Sequence, residues 1–484
     1  MQNGDLRGDG SVETPDESND RFDGGLVNTP KRRGTFGMPM LKGRGRSIDT
    51  RRTGSVEYDV PEGHESLDET VADPVGHSPS ESRTDKGPSL EEMRPGQGRG
   101  RGLADVEMQN GRRDEQDGTA GTPPGSVARV SKMATEVYTL SYLVFFSIFG
   151  TLARLGILAL TTYPGAPVSF GVLWANVGGS LIMGFLAEDR KLFKHEWGTA
   201  TYHDQIHKAR QQQHAEGGVA VDLAAAKKAH LATKKTIPLY IGLATGFCGS
   251  FTSFSAFIRD VFLAMSNDLP GAGGAAPETR NGGYSFMAML AVVFTTVSLS
   301  LSAVIAGAHL AAALEPITPS IRRNLLDRGA VLLGWGSWLG AVLLAIFPPH
   351  DAWRGQAIFS LVFAPLGCIA RFYVSLWLNS RVPAFPIGTF AVNIAGVAVL
   401  GMCWDLGHAG LGGVIGCQVL QGVEDGFCGC LTTVSTWVAE LTVLRRRHAY
   451  VYGVSSVMVG FAVLVVVMGA MRWTDGFAPL MCTH

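Results

Sequence analysis

Two short peptides hold the residues best suited to chemistry. GFCGSFTSFSAF (Gly246 to Phe257) interrupts a long apolar run with glycine, cysteine, serine and threonine, and GFCGCLTTVSTW (Gly426 to Trp437) does the same farther along. Irregular backbone at membrane depth is tolerated only where it is buried in protein or lines a water-filled path. A broken helix is therefore expected over Gly246 to Ser253 and another over Gly426 to Thr433, the two meeting near mid-membrane. Carbonyls freed at such a meeting point can hold a cation, and hard oxygen ligands suit Na⁺. A purely structural kink is the competing reading.

Other polar residues sit where they are costly. Arg154 and Arg371 lie inside apolar runs, where an unpaired cation costs about 2.5–3.5 kcal/mol on the lenient insertion scale. They can face a vestibule or carbonyl groups and concentrate anions at opposite membrane faces, or they can snorkel to the headgroups. Asn176 and Asn393 place amides in mid-span. Each can donate to a dehydrating anion or join helices together. Phe254 and Phe257, three residues apart, share a helical face. Ring edges carry positive partial charge, so edge-on phenylalanines can solvate an anion; core packing is the alternative. Tyr452, Ser456 and Gly460 form one i, i+4 stripe, and Phe294, Ser298 and Ser302 form another. Hydroxyls in such a row make a donor track, although membrane serines often bond their own backbone.

The cysteines are less informative. Of the seven, all but Cys482 fall within or beside apolar spans, and Cys428-Gly-Cys430 lacks partners at zinc spacing. All are read as buried packing thiols. His203 and His207 stand at i, i+4 in a polar loop, where an amphipathic helix with incidental histidines is expected rather than a metal site.

Composition divides the chain into two parts. Residues 1–130 are rich in Gly, Arg, Asp, Glu, Ser and Pro and are expected to be a disordered cytoplasmic tail. Its basic clusters, Lys31-Arg32-Arg33 and Arg51-Arg52, stand near Ser or Thr. No apolar core opens the chain as a cleavable signal would, so the first span is expected to direct insertion. The net charge of −1 says little about partners.

Beyond Ser131 the apolar blocks reach membrane-spanning length. Nine spans are expected: 136–160, 168–187, 237–266, 285–313, 329–347, 357–379, 384–404, 411–443 and 450–472. Lys and Arg concentrate in the 188–236 loop, in 315–328, at Arg381 and in Arg445-Arg446-Arg447. By the positive-inside rule these connections are cytoplasmic, the N-terminus is inside and residues 473–484 are extracellular.

The sequence repeats itself. GTLARLGI answers to GCIARFYV, FGVLWANVGGSLIMGFL to IGTFAVNIAGVAVLGMC, and GFCGSFTSFSAFIRD to GFCGCLTTVSTWVAE. The copies, 136–313 and 357–472, each hold four spans. The linker 314–356 contributes the unpaired span 329–347, which inverts the second copy. The expected fold class is thus an all-α polytopic membrane protein of two antiparallel four-helix repeats, with the functional site at their interface.

These residues together resemble the fluoride channel family, in its fused two-repeat eukaryotic form. The resemblance rests on G-x-x-x-R in the first span of each copy, the span-two asparagine, and G-F-C-G-x-x-T-[ST] in the third, over about 137 to 472. It implies a passive plasma-membrane channel that exports cytosolic fluoride and confers fluoride resistance. Its fluoride path would run along Asn176, Asn393, Ser253, Thr433, Phe254, Phe257, Tyr452 and Ser456, with Arg154 and Arg371 as vestibule charges. A structural Na⁺ would be held by the main-chain carbonyls of Gly249, Thr252, Gly429 and Thr432. The implied partners are fluoride and membrane lipid, with no nucleic acid, and one chain acts as its own pseudo-dimer.

Departures from symmetry are plain. Val434 and Trp437 replace Phe254 and Phe257, Phe294 answers to Tyr452, and Glu424-Asp425 replace Ala244-Thr245. Two equivalent pores are therefore not expected, which agrees with the one working and one vestigial pore that the resemblance to the fused members implies. The competing function is a proton-coupled inverted-repeat transporter of a small anion or drug, which needs an intramembrane carboxylate, for which Asp260 and Glu440 are the candidates. An enzyme is disfavoured because no nucleophile-base or metal constellation stands out.

Overall fold

The chain leaves its N-terminal part at Ser131, whose Oγ accepts from Ala134 N (3.3 Å) and so caps α1 (Lys132–Thr161). The computed structural model describes residues 56–58, 128–193, 231, 234–271, 277, 279–321, 324–350, 353–410 and 412–482, all within the unit Thr53–His484. Most of the expected tail, with its basic clusters, and the loop histidines from His195 to His230 lie outside the described residues. Within the expected tail, β1 (Val56–Tyr58) pairs in parallel with β2 (Ala128–Val130).

After α1 comes α2 (Val172–Glu188), a shorter apolar helix. Its last carbonyls have no intrahelical donors, and the buried Lys234 ammonium supplies them: Nζ donates to Leu186 O (3.0 Å), Ala187 O (3.2 Å) and Asp189 O.

The third helical segment is interrupted. Pro238 at the first turn opens α3 (Pro238–Ile241), which widens into a π-helical stretch (Gly242–Cys248) and closes in α4 (Gly249–Phe251). The backbone is then extended at Thr252 (φ −95°, ψ 150°) and Ser253 (φ −140°, ψ 118°) before α5 (Phe254–Ser266). Two long helices follow, α6 (Gly282–Leu314) and α7 (Asn324–Ile346).

A π-helical turn (Arg354–Ile358) leads into α8 (Phe359–Leu378), then α9 (Ile387–His408). The interruption now recurs. Helix α10 (Gly413–Gly422) becomes π-helical over Val423–Cys428 and tightens in α11 (Gly429–Leu431). It opens at Thr432 (φ −94°, ψ 154°) before α12 (Ser435–Val443). The last helix is α13 (Arg446–Thr474).

Among the described residues, seven helical segments are long and apolar enough to cross a membrane, so the protein is a helical, polytopic membrane protein. The interrupted segment Pro238–Ser266 has the most buried apolar window of the seven, so α3–α5 are central. The largest core cluster joins α5 to α12 and α13: Phe254, Phe257, Ile258, Trp437, Tyr452 and Leu464 all belong to it.

One expectation about the thiols is corrected. Cys417 and Cys482 form a disulfide, while Cys248, Cys368, Cys403, Cys428 and Cys430 are buried and free. The bond is possible because the C-terminal segment folds back: Phe477 packs on Trp404 and His408, and Gln418 Nε2 donates to Cys482 O (3.2 Å).

Candidate functional site at the crossed helix breaks

The two interruptions meet, and each caps the other. Thr252 Oγ1 accepts from Val434 N (3.2 Å) and Ser435 N (3.1 Å) at the start of α12, while Thr432 Oγ1 accepts from Ser255 N (3.0 Å) at the start of α5. Each threonine donates to the carbonyl four residues back: Thr252 to Cys248 O (3.1 Å), Thr432 to Cys428 O (2.9 Å). The hydroxyls of Thr252 and Thr433 stand 3.2 Å apart, and that of Ser253 lies 3.4 Å from Thr432 Oγ1. A buried polar cluster thus joins the halves.

The asparagines hold the breaks open. Asn176 Oδ1 accepts from Ser253 N (2.9 Å) and its Nδ2 donates to Ser253 O (3.5 Å). Asn393 makes the same pair with Thr433, at 2.9 Å and 3.3 Å. Each amide nitrogen retains a second N–H.

These diversions free four carbonyls. In a continuous helix, the amides of Ser253, Ala256, Thr433 and Thr436 would close onto the carbonyls of Gly249, Thr252, Gly429 and Thr432. Instead Ser253 N donates to Asn176 and Thr433 N to Asn393, while Ala256 N donates to Ser253 Oγ (3.2 Å) and Thr436 N to Thr433 Oγ1 (3.4 Å). A set of neutral carbonyl oxygens beside threonine hydroxyls suits a hard alkali cation.

Both arginines are 2 % exposed and serve main-chain carbonyls. Arg371 Nε donates to Cys430 O (2.8 Å) and Nη2 to Thr245 O (2.8 Å), whereas Arg154 Nη2 donates to Asp425 O. Thr245 lies in the π-helical stretch Gly242–Cys248 and Asp425 in Val423–Cys428, where widened turns expose carbonyls. Each guanidinium packs closely against a glycine: a Cβ on Gly249 would run into Arg371, and one on Gly429 into Arg154. Arg154 Nε and Nη1 have no hydrogen-bond partner among the described residues.

Beside this centre stands an aromatic group. Phe254 and Phe257 meet edge to face, centroids 5.7 Å apart at 81°, and Phe254 meets Trp437 at 5.3 Å and 68°. The buried stripe of α13, Tyr452, Ser456 and Gly460, runs past them, with Gly460 against Phe254 and Ile258. Ser456 Oγ donates to Tyr452 O (2.7 Å), its own backbone.

In α6 the expected stripe is displaced. Phe294 is 64 % exposed, and Ser298 and Ser302 are exposed with it; the buried positions are Val292, Thr296, Ser300 and Val304. A slip of two residues turns a helix by about 200°, enough to bring up the opposite face. The Thr296 and Ser300 hydroxyls, and that of Ser180 on α2, have no partner among the described residues.

Two site residues went unread in the sequence or were read otherwise. Glu440 Oε2 accepts from Tyr452 OH (2.7 Å), and Oε1 from Thr389 Oγ1 (2.7 Å) and Asn379 Nδ2 (3.5 Å). Thr389 is one helical turn before Asn393, a spacing that puts it on the same face.

Two cavities adjoin the centre. One of about 250 Å³ is lined by Lys235, Thr245, Arg371, Thr433, Thr436 and Glu440 among others; a smaller one of about 120 Å³ has Arg259, Trp404, His408, Glu424, Asp425 and Leu480 in its wall.

Fold and site together define a helical membrane protein with a buried polar centre shared by two similar helix breaks. Its family is specific: residues 141–308 and 358–470 match the family described as CrcB-like protein, Camphor Resistance (CrcB), and the chain belongs to that family. It is 52% identical to Fluoride export protein 1 of Neurospora crassa, over 93% of this chain and 90% of the relative. It is 33% identical to Fluoride export protein 1 of Candida albicans, over 69% and 80% of the two chains. It is also 40% identical to Fluoride-specific ion channel FluC of Geotalea daltonii, over 17% of this chain and 66% of that one. No solved structure matches the chain significantly.

Proposed function

We propose that this protein is a passive fluoride channel that exports cytosolic fluoride across the plasma membrane. The observation that carries the reading is the match, over nearly the whole chain, to a relative named Fluoride export protein 1. The crossed breaks and the edge-on rings beside the stripe of α13 support it, because the asparagine amides retain an N–H and the rings present positive edges between the cationic ends of the path.

In this reading the chain crosses the membrane nine times as two inverted repeats, and one chain suffices. The short helix α2 and the interrupted stretch from α10 to α12 provide the spans beyond the seven long ones. The basic loops face the cytosol and the C-terminus faces outward. The Cys417–Cys482 disulfide supports that orientation, since such bonds persist on the oxidising side of a membrane.

Fluoride enters from the cavity bearing Lys235 and Arg371, passes Tyr452, Ser456 and Asn393 beside Phe254 and Phe257, and leaves past Arg259. The first copy's stripe, with Phe294 facing outward, forms the vestigial route. Na⁺ held by Gly249, Thr252, Gly429 and Thr432 fastens the crossed breaks. The inside-negative potential drives the anion outward by about 2.3 kcal/mol per 100 mV.

The test is fluoride efflux from liposomes containing the purified protein, with chloride as control. Fast fluoride-selective efflux without a pH gradient is expected. Efflux that is slow, absent or dependent on a pH gradient overturns the channel reading, and pH dependence points to coupled transport.

A further inference from the structure

Trp437 stands in the second GFCG segment where Phe257 stands in the first. It is 1 % exposed, and its Nε1–H has no hydrogen-bond partner among the described residues. Buried indole N–H groups are normally paired, so an orphan needs an explanation. The indole is a donor only. Whatever completes it is therefore an acceptor, which excludes a cation.

The surroundings suggest where that acceptor comes from. The Trp437 ring is edge to face with Phe254, at 5.3 Å. Its Cζ2, next to the ring carbon that carries Nε1, lies 3.9 Å from where a Cβ on Gly453 would be, so the N–H side of the ring faces α13 beside Tyr452. Thr433, one turn before Trp437, and Glu440, one turn after, both line the larger cavity. The unpaired donor thus lies on the α13 side of its ring, in a segment whose flanking residues Thr433 and Glu440 line that cavity.

We propose that Trp437 Nε1–H is a direct fluoride ligand in the conducting path. This rests on the fluoride-channel reading and adds a residue to it. Where the first copy offers only a ring edge, the second offers a true hydrogen-bond donor. Fluoride is small and a strong acceptor, and a donor–anion bond is roughly twice as strong as a neutral one. The replacement of phenylalanine by tryptophan is then a gain for one path rather than decay of a symmetric pattern.

The test replaces Trp437 with benzothienylalanine, which keeps the ring shape and exchanges the N–H for sulfur, and separately makes Trp437→Phe. Fluoride efflux from liposomes is compared with the unsubstituted protein after size-exclusion chromatography confirms equal folding. Efflux is expected to fall at least tenfold in both variants, and Trp437→His, which retains an N–H, is expected to recover part of it. If the unsubstituted protein conducts and the benzothienyl variant matches it, the Trp437 assignment fails while the channel reading stands. If the unsubstituted protein moves no fluoride, both fail. Should the benzothienyl protein not fold, Trp437→Phe decides by the same criterion.

Discussion

Thr432 Oγ1 accepts a hydrogen bond from Ser255 N at 3.0 Å, so the break in one half of the chain caps the helix that follows the break in the other. Thr252 does the same for Ser435 at 3.1 Å. Neither broken segment can close without its partner.

Thr252→Val should deprive the amides of Val434 and Ser435 of their acceptor, and Thr432→Val that of Ser255. Losses of about 1–2 kcal/mol are expected from the cap alone. Thermal unfolding in detergent reads this as a lower midpoint, with Thr→Ser near wild type; an unchanged midpoint in Thr432→Val would show that the reciprocal capping is dispensable.

Gly249→Ala and Gly429→Ala push a methyl group into a buried guanidinium. Overpacking of this kind costs about 1–3 kcal/mol. Loss of folded protein and of fluoride resistance in cells is expected, whereas Gly156→Ala, which has open space at its Cβ, should change neither.

If Na⁺ occupies the freed carbonyls, it must stabilise the folded state by mass action, by about 2.7 kcal/mol at one hundred times its Kd. The melting temperature should rise with NaCl and not with choline chloride at equal ionic strength. Identical midpoints in the two salts would remove the cation from the centre.

Asn393 binds both the amide and the carbonyl of Thr433. Asn393→Asp deletes the donor and adds an anion beside the path, so fluoride resistance should be lost while folded protein persists. Phe254→Ile, which removes the ring shared by Phe257 and Trp437, should act alike; normal resistance in that variant takes the first copy's rings out of the pore.

The Cys417–Cys482 bond closes a loop with a sequence separation of 65, which corresponds to about 4 kcal/mol in the chain-entropy account. Cys482→Ser should lower the melting temperature. In intact cells treated with a reductant, a membrane-impermeant maleimide should label the wild-type chain and spare the double serine variant. Labelling only after permeabilisation would place the C-terminus in the cytosol.

The sequence by itself determined the helical membrane class, because runs of apolar residues of spanning length have few other solutions. It also identified the paired GFCG peptides and the family, since both rest on residue identity at fixed short spacings. Reciprocal capping was not legible, because Thr252 and Ser435 are far apart in the chain and nothing local links them. The stripe of α6 was misread for a related reason: an all-apolar helix carries almost no periodic signal, so packing alone chose Thr296 and Ser300 over Ser298 and Ser302. Tertiary structure likewise decided which cysteines bond, because only folding back of the chain end brings Cys482 to Cys417. Patterns within a helical turn are set by local geometry; partnerships across the interface depend on how the helices assemble.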